Sequence, residues 1–262
     1  MKTVMTEDAQ LHYEHTPRPG APALLFLNAL SASLAMWDDQ MEALQERFEI
    51  VRYDVRGHGK SSTGSRDELT MEQLARDALT VLDACGIARA HLCGLSLGGM
   101  TAMHIASHWP DRVLKIALCN TAPYMPPREN WDARINTART QGLAELTEAT
   151  LGRWFTSAFR TAEPERVERI REMLLATDAR GYAACCAAIR DMDQRESIKQ
   201  INATTLIIGG AHDASATPAV AQAMAEAIPN ARLAILEAAH LSNVEQAGEF
   251  NTIVSEFLGT TL

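Results

Sequence analysis

The segment Gly94-Leu95-Ser96-Leu97-Gly98 places a serine between two glycines, at the junction of an apolar run and a helix-like stretch. The run 90–93 has the composition of a short buried strand, and residues 100–106 have a helical pattern that ends before Pro110. At such a sharp strand-to-helix turn the serine hydroxyl is exposed above the sheet. The alternative is a serine that merely caps the helix. The strand–turn–helix context favours a nucleophile elbow and predicts Ser96 as the nucleophile.

Short apolar runs bounded by turn residues predict the rest of a sheet. Residues 3–5 and 11–15 alternate partly and predict an opening hairpin. The unbroken run 23–27 is typical of a central parallel strand that is buried on both faces. Further strands are predicted at 48–53, 90–93, 113–119, 204–208 and 232–236. Helical patterns occur at 37–48, 69–85 and 218–227, with a closing helix to Leu258. The predicted class is α/β, with a mostly parallel eight-stranded sheet flanked by helices.

A long interval separates two of these strands. It comprises the 84 residues 120–203. Connections in α/β units usually add only about 2–6 residues to a helix, so we predict an inserted helical cap here. Apolar periodicity supports helices at 134–144, 165–176 and 182–189. The predicted domains are a core of residues 1–120 and 204–262 and a cap of residues 121–203.

The charge distribution follows the same partition. Residues 121–200 contain twelve basic and twelve acidic side chains, so the whole net charge of −9 falls on the rest of the chain. A neutral, arginine-rich cap above an acidic core is a suitable place to receive a small anion. Most of its arginines are nevertheless expected on solvated helix faces.

Two further polar residues stand just beyond strand ends, where ligands gather in an open parallel sheet. Asp213 follows the strand 204–208, and His240 follows the strand 232–236. With Ser96 they give the chain order Ser, Asp, His, in which an imidazole can remove the hydroxyl proton while a carboxylate orients the ring. The sequence therefore predicts Ser96, Asp213 and His240 as a catalytic triad. Asp191 and Asp193 are the alternative acids.

The composition argues against several other classes of protein. A net charge of −9 and 5% aromatic residues provide no basic stripe or stacking platform, so no nucleic-acid partner is predicted. With no apolar run of membrane-spanning length and no visible secretory signal, we expect a cytoplasmic protein without a membrane partner. Five cysteines without CxxC spacing fit reduced thiols. His104 and His108 lack further ligands nearby, so no metal and no cofactor are predicted. The sequence is compatible with a monomer and with a homo-oligomer.

Beyond the elbow and the triad, motifs in core and cap resemble those of a known family. They are residues 28–30 with Trp37, 118–122, 131–135, 153–156, 181–190 and 240–246. On these motifs the chain resembles the α/β-hydrolases, and within them the 3-oxoadipate enol-lactonases of the β-ketoadipate pathway. The cap motifs carry most of the closer resemblance, because caps differ between substrate classes while the elbow is common to many chemistries.

The resemblance implies a serine hydrolase that opens a five-membered enol-lactone bearing an acetate arm, a small anionic substrate. It also implies an oxyanion hole formed by the backbone N–H groups of Leu30 and Leu97. The first oxyanion loop differs from the Asn-Ser-Leu-Gly typical of enol-lactonases, since this chain has Asn28-Ala29-Leu30-Ser31. The N–H of Leu30 can still serve, because a main-chain donor needs no particular side chain.

The substrate carboxylate requires a positive or strongly donating partner when it leaves water. Arg134 is the predicted partner, since it lies in a family-like cap segment soon after a core strand; the alternative is that it pairs with an acid on the cap surface. Trp131 and Trp154 are predicted to enclose the apolar ring, with their indole N–H groups as extra donors. Alternative functions are a carboxylesterase, a carbon–carbon bond hydrolase of meta-cleavage products, a haloperoxidase-like enzyme or a hydrolase-fold receptor for a small lactone.

Overall fold

The apolar runs form one eight-stranded sheet in the computed structural model, which describes residues 2–259. Its strands are β1 (Lys2–Met5), β2 (Gln10–Thr16), β3 (Ala23–Leu27), β4 (Glu49–Tyr53), β5 (Ala90–Leu95), β6 (Val113–Cys119), β7 (Thr204–Gly210) and β8 (Arg232–Leu236). Their order across the sheet is β1-β2-β4-β3-β5-β6-β7-β8. β1 and β2 form an antiparallel hairpin, β2 is antiparallel to β4, and the pairs from β4 to β8 are parallel. The predicted, mostly parallel eight-stranded sheet is confirmed.

Eleven α-helices flank this sheet within the described residues. They are α1 (Asp38–Leu44), α2 (Met71–Ala84), α3 (Leu97–His108), α4 (Arg128–Gln141), α5 (Ala144–Trp154), α6 (Ser157–Ala162), α7 (Pro164–Leu175), α8 (Ala179–Asp191), α9 (Pro218–Ala227), α10 (Ser242–Glu245) and α11 (Ala247–Gly259). None of the helices within residues 2–259 is long and apolar enough to span a lipid bilayer.

Both faces of the sheet are covered, as the composition of β3 predicts. Leu25 and Leu27 belong to an apolar cluster that includes residues of α2 and α3. Leu24 and Phe26 point the other way, into a second cluster that includes residues of α1 and α11. Every residue of β3 is buried, because successive side chains of a strand point to opposite faces and helices cover each.

Five of the helices, α4 to α8, lie between β6 and β7, so the long interval is helical. α4 begins at Arg128, six residues before the predicted start, because its first residues are polar and carry no apolar pattern. The predicted helix 37–48 is shorter in the structure. A turn of 3-10 helix spans Leu34–Trp37, and α1 ends at Leu44. The chain leaves α1 early because Phe48 is buried in the core at the entry to β4.

Candidate active site

Ser96 occupies the junction between β5, which ends at Leu95, and α3, which begins at Leu97. Its backbone has φ 56° and ψ −115°, a conformation that residues other than glycine rarely adopt. The end of β6 and the segment directly after it hold it there. The Ser96 N–H donates to the carbonyl oxygen of Cys119 at 2.9 Å, and the Ser96 carbonyl accepts from Thr121 Oγ1 at 2.7 Å. The strained elbow is therefore fixed by the neighbouring strand end.

The two glycines of the motif are required by close backbone approach. A β-carbon at Gly98 would lie 1.9 Å from the carbonyl oxygen of Leu27, and one at Gly94 would lie 2.3 Å from the carbonyl oxygen of Gly98. Both distances are far below van der Waals contact. α3 thus begins directly against the end of β3, and a side chain at either glycine would push the serine away from its turn.

Asp213 and His240 meet beyond the ends of β7 and β8. His240 Nδ1 lies 2.8 Å from Asp213 Oδ2, and the Asp213 side chain is fully shielded from solvent. The other carboxylate oxygen accepts from the backbone N–H groups of Ser215 and Ala216, at 2.8 and 3.0 Å. Asn120 Nδ2 donates to Oδ2 at 3.0 Å. Each oxygen therefore has two donors, which fixes the carboxylate beside the imidazole.

The charge state of Asp213 follows from these contacts. Burial favours the neutral acid, but the charge and hydrogen bond of His240, together with the bonds from Asn120 and Ala216, lower the pKa of Asp213 below its usual value. The group is then an anion at neutral pH. An anionic partner keeps the proton of a neutral His240 on Nδ1, which leaves Nε2 as the basic nitrogen.

Asn120 is a residue of this site that the sequence did not assign. It follows β6 directly with a left-handed backbone, φ 44°. Besides bonding Asp213, its Nδ2 donates to the carbonyl oxygen of Ala239 at 3.1 Å, and its Oδ1 accepts from Ser242 Oγ. One amide thus joins the carboxylate to the loop on both sides of His240.

Ser96 and His240 line one cavity of about 280 Å³. Leu30 lies in its wall, and its backbone N–H donates none of the hydrogen bonds identified within residues 2–259. Leu97 is the first residue of α3, so its N–H has no acceptor within the helix and stands at the positive end of the helix dipole. The two predicted oxyanion donors thus lie in the loop after β3 and at the start of α3.

The three predicted substrate-binding residues also line this cavity: Arg134, Trp131 and Trp154. The prediction that both indole N–H groups are extra donors is wrong for Trp131. Its Nε1 donates to the carbonyl oxygen of Met125 at 2.8 Å, which orients the ring as a wall. Met125 lies in the segment before α4, so this bond connects the first turn of α4 to the chain that leads into it.

A second arginine, Arg153 on α5, lines the same cavity and was not assigned from the sequence. The Arg134 guanidinium carbon lies 4.7 Å from the centre of the Trp131 ring, and Arg153 donates to Thr150 Oγ1 at 3.0 Å. Within residues 2–259, neither arginine has a carboxylate at ion-pair distance. Burial and the nearby charge of Arg134 lower the pKa of Arg153. The cavity therefore contains two neighbouring cations without an acid.

The alternative acids are engaged elsewhere. Asp191 pairs with Arg128 and Arg190, both at 2.7 Å, and Asp193 pairs with Arg195. Neither lines the cavity that contains Ser96 and His240. In the described part of the chain, no three His, Cys, Asp or Glu side chains are grouped as a metal ion requires.

Comparisons with known proteins agree with this architecture. The family model of the alpha/beta hydrolase fold matches residues 22–247. The 3-oxoadipate enol-lactonase 2 of Acinetobacter baylyi is 37% identical over 252 residues, which cover 96% of this chain and 94% of that protein. The crystal structure of the enol-lactonase from Burkholderia xenovorans matches with a TM-score of 0.96 at 39% identity, covering 99% of this chain and 100% of that one.

A third relative is described as an esterase and not as an enol-lactonase. It is a thermophilic esterase from Thermogutta terrifontis whose structure contains malate, with a TM-score of 0.92, 27% identity and 98% coverage of both chains. The matched family model spans most of the sequence, and the enol-lactonase of Acinetobacter baylyi exceeds a third identity over nearly all of it. This chain therefore belongs to the α/β-hydrolase family of enzymes.

Proposed function

We propose that this enzyme hydrolyses 3-oxoadipate enol-lactone to 3-oxoadipate, a step of aromatic catabolism in the β-ketoadipate pathway. The observation that carries the proposal is one cavity that joins the Ser96 elbow to two arginines without an acid partner. The similarity to enol-lactonases over nearly the whole chain, cap included, supports this choice of lactone. The free thiols of all five cysteines support a reducing compartment such as the cytoplasm.

In the proposed first half-reaction, Ser96 Oγ attacks the ring carbonyl while His240 Nε2 accepts the hydroxyl proton. The N–H groups of Leu30 and Leu97 stabilise the oxyanion, where a single such donor is worth about 10²–10³ in rate. The bond between the carbonyl carbon and the ring oxygen then breaks and releases an enolate within the same molecule. His240 returns its proton to that enolate, which tautomerises to the ketone and leaves a serine ester.

In the second half-reaction, His240 accepts a proton from water and the hydroxide attacks the ester carbonyl. The tetrahedral intermediate collapses, the bond to Ser96 Oγ breaks, and the proton on His240 returns to that oxygen. The net change is the addition of one water molecule to the lactone. Asp213 remains an anion throughout and stabilises the imidazolium that forms twice in the cycle.

We assign substrate binding to residues 121–203, as a cap over the core of residues 1–120 and 204–262. Arg134 on α4 and Arg153 on α5 would hold the substrate carboxylate, and Trp131 and Trp154 would enclose the ring. A cavity of about 280 Å³ is close to the lower end of the range of about 300–1,000 Å³ usual for ligand sites, which suits a small lactone.

The direct test is hydrolysis of freshly prepared 3-oxoadipate enol-lactone, followed by the loss of its ultraviolet absorbance. We expect rapid turnover by the wild-type enzyme and losses of about 10⁴-fold or more in kcat for Ser96→Ala and Asp213→Asn, because one removes the nucleophile and the other leaves His240 in the wrong tautomer. Asp191→Asn is the matched control, since that acid lies outside the cavity, and its activity should be close to wild type. Fast hydrolysis of a simple aryl ester without hydrolysis of the lactone would favour a carboxylesterase instead.

A further inference from the structure

The loop that carries His240 is held by hydrogen bonds on both sides of the histidine. Before the histidine, the Ala239 N–H donates to Glu245 Oε2 at 2.9 Å. After it, the Leu241 N–H donates to the carbonyl oxygen of Trp154, the last residue of α5, at 3.0 Å. Trp154 also lines the cavity. The backbone that positions the imidazole is thus directly connected to a wall of the pocket.

The carboxylate of Glu245 extends this connection to Thr156, which precedes helix α6 and caps it. Both Glu245 oxygens lie within reach of the Thr156 N–H, at 3.3 and 3.4 Å, and Oε1 also accepts from Thr156 Oγ1. Thr156 in turn caps α6, with its Oγ1 accepting from the Phe159 N–H at 3.2 Å. One carboxylate therefore joins three donors from two segments that are remote in the sequence.

Glu245 is itself well fixed. It is the last residue of α10, and its own N–H donates to the carbonyl oxygen of Leu241 at 2.9 Å. It is not among the residues that line the cavity, so it acts on the chemistry only through its neighbours. From these contacts we propose that Glu245 is a positioning residue, which sets the place of His240 by holding residues 239–241 against the α5–α6 junction. The inference rests on the proposed function insofar as His240 is taken as the catalytic base.

A carboxylate suits this position because every partner is a donor. Two oxygens with several lone pairs can accept from Ala239 and from Thr156 at the same time. A glutamine has the same size, but its NH₂ group would take the place of one oxygen, so either the Ala239 N–H or the Thr156 hydroxyl would lose its present acceptor. Glu245→Gln therefore changes the hydrogen bonds while it preserves packing, which makes it the informative substitution.

The experiment compares Glu245→Gln with Glu249→Gln, an exposed glutamate in the first turn of the following helix. Steady-state kcat and KM are measured with an uncharged aryl acetate, which does not need the carboxylate site, and with the enol-lactone. A displacement of the base of about 1 Å can cost about 10²-fold, so we expect kcat of Glu245→Gln to fall by about 10- to 100-fold on both substrates. KM should change little, and Glu249→Gln should match wild type.

A spectroscopic measurement separates positioning from simple loss of stability. A proton shared between His240 Nδ1 and Asp213 should give a low-field NMR signal. Glu245→Gln should shift or broaden that signal at a temperature where the variant is fully folded. A variant with a lowered melting temperature but unchanged kcat and an unchanged signal would overturn the proposal. The lactonase proposal and the Glu245 proposal can be refuted separately. An enzyme that hydrolyses the aryl ester but not the lactone refutes the proposed lactonase activity. The role of Glu245 is then still tested by the ester kinetics and by the NMR signal.

Discussion

Ser31 carries a backbone conformation that its side chain does not favour. Its φ is 65°, in a turn in which the Ala32 N–H donates to the carbonyl oxygen of Ala29 at 3.1 Å. The resemblance to enol-lactonases places a glycine here, and glycine adopts this region without steric cost. We expect Ser31→Gly to raise the free energy of unfolding by about 0.5–1 kcal/mol, measured by urea denaturation.

Ser33 provides the control for this prediction in the same loop. It has an extended backbone, with φ −98° and ψ 175°, and its hydroxyl accepts from the Ala35 N–H at 3.4 Å. Ser33→Gly should therefore lower the free energy of unfolding, because it removes a cap and relieves no strain. If Ser31→Gly and Ser33→Gly changed the free energy of unfolding equally, in either direction, the assignment of strain to Ser31 would be contradicted.

At the scale of single residues, the sequence indicates the candidate site residues that stand directly after a predicted strand. Ser96, Asp213 and His240 each stand just beyond a strand, and parallel strands end at one edge, which makes their proximity predictable. Asn120 also follows a strand directly, but its importance lies in a bond to Asp213 that no local pattern indicates. Glu245 follows no strand, and its bond to Thr156 likewise spans a long sequence separation. The catalytic roles themselves stay predictions until the variants are assayed.

At the scale of helices, apolar periodicity indicated part of the region between β6 and β7 but missed α5. The buried face of α5 consists of Thr147, Thr150, Leu151 and Trp154. In a sequence, Thr147 and Thr150 are interpreted as polar surface residues. Their hydroxyls nevertheless donate to the carbonyl oxygens four residues earlier, at 2.8 Å each. Threonine with its hydroxyl satisfied inside the helix can be buried, so the pattern was hidden. Arg153, on the same helix, was also not predicted to bind substrate, although its neighbour Trp154 was.

Two helices each contribute one arginine to the cavity, and this arrangement predicts a selective effect on anionic substrates. Arg134→Ala and Arg153→Ala should each lower kcat/KM for the enol-lactone by about 10- to 100-fold, the value of a charge-assisted hydrogen bond. On an uncharged ester of the same size the loss should be only a few-fold, on the order of what lost packing costs. Initial-rate assays of wild type and variants with both substrates measure the difference in kcat/KM.

Arg139 is the matched control for this pair, because it lies on α4 as Arg134 does but is exposed and donates to the carbonyl oxygen of Asp67. Arg139→Ala should leave both substrates unaffected. Equal losses on the charged and the uncharged substrate for Arg134→Ala and Arg153→Ala would show that these residues shape the cavity rather than bind the carboxylate.

At the scale of the whole molecule, the alternation of strands and helices predicted the class and the number of strands. The order across the sheet, in which β4 lies between β2 and β3, is not contained in any local pattern. It depends on which apolar faces are covered by α1 and α11 and which by α2 and α3, a property of the packed core. The apolar patterns of the individual strands leave several orders equally compatible.

Stability of the folded molecule should depend on pH through a histidine buried in the sheet. His91 on β5 is 2% exposed, meets Phe48 edge-on at 5.8 Å, and has an Nδ1 without a hydrogen-bond partner. Burial and the charge of Lys115 lower the pKa of His91 to about 4. The unfolded value is about 6.5, so its contribution to stability is fully present above pH 6.5 and is lost as pH falls toward 4. Between pH 7 and pH 5 this group alone should remove about 2 kcal/mol from the free energy of unfolding.

The measurement is urea denaturation of wild type and His91→Leu at pH 7 and at pH 5. The variant should lose about 2 kcal/mol less than wild type on acidification, because its unfolded chain has no proton to gain at this position. Leu92→Val on the same strand is the control, since it changes core packing without changing any titratable group and should keep the wild-type pH dependence. Parallel losses in wild type and His91→Leu would mean that His91 is protonated within the folded sheet and that acid sensitivity arises elsewhere.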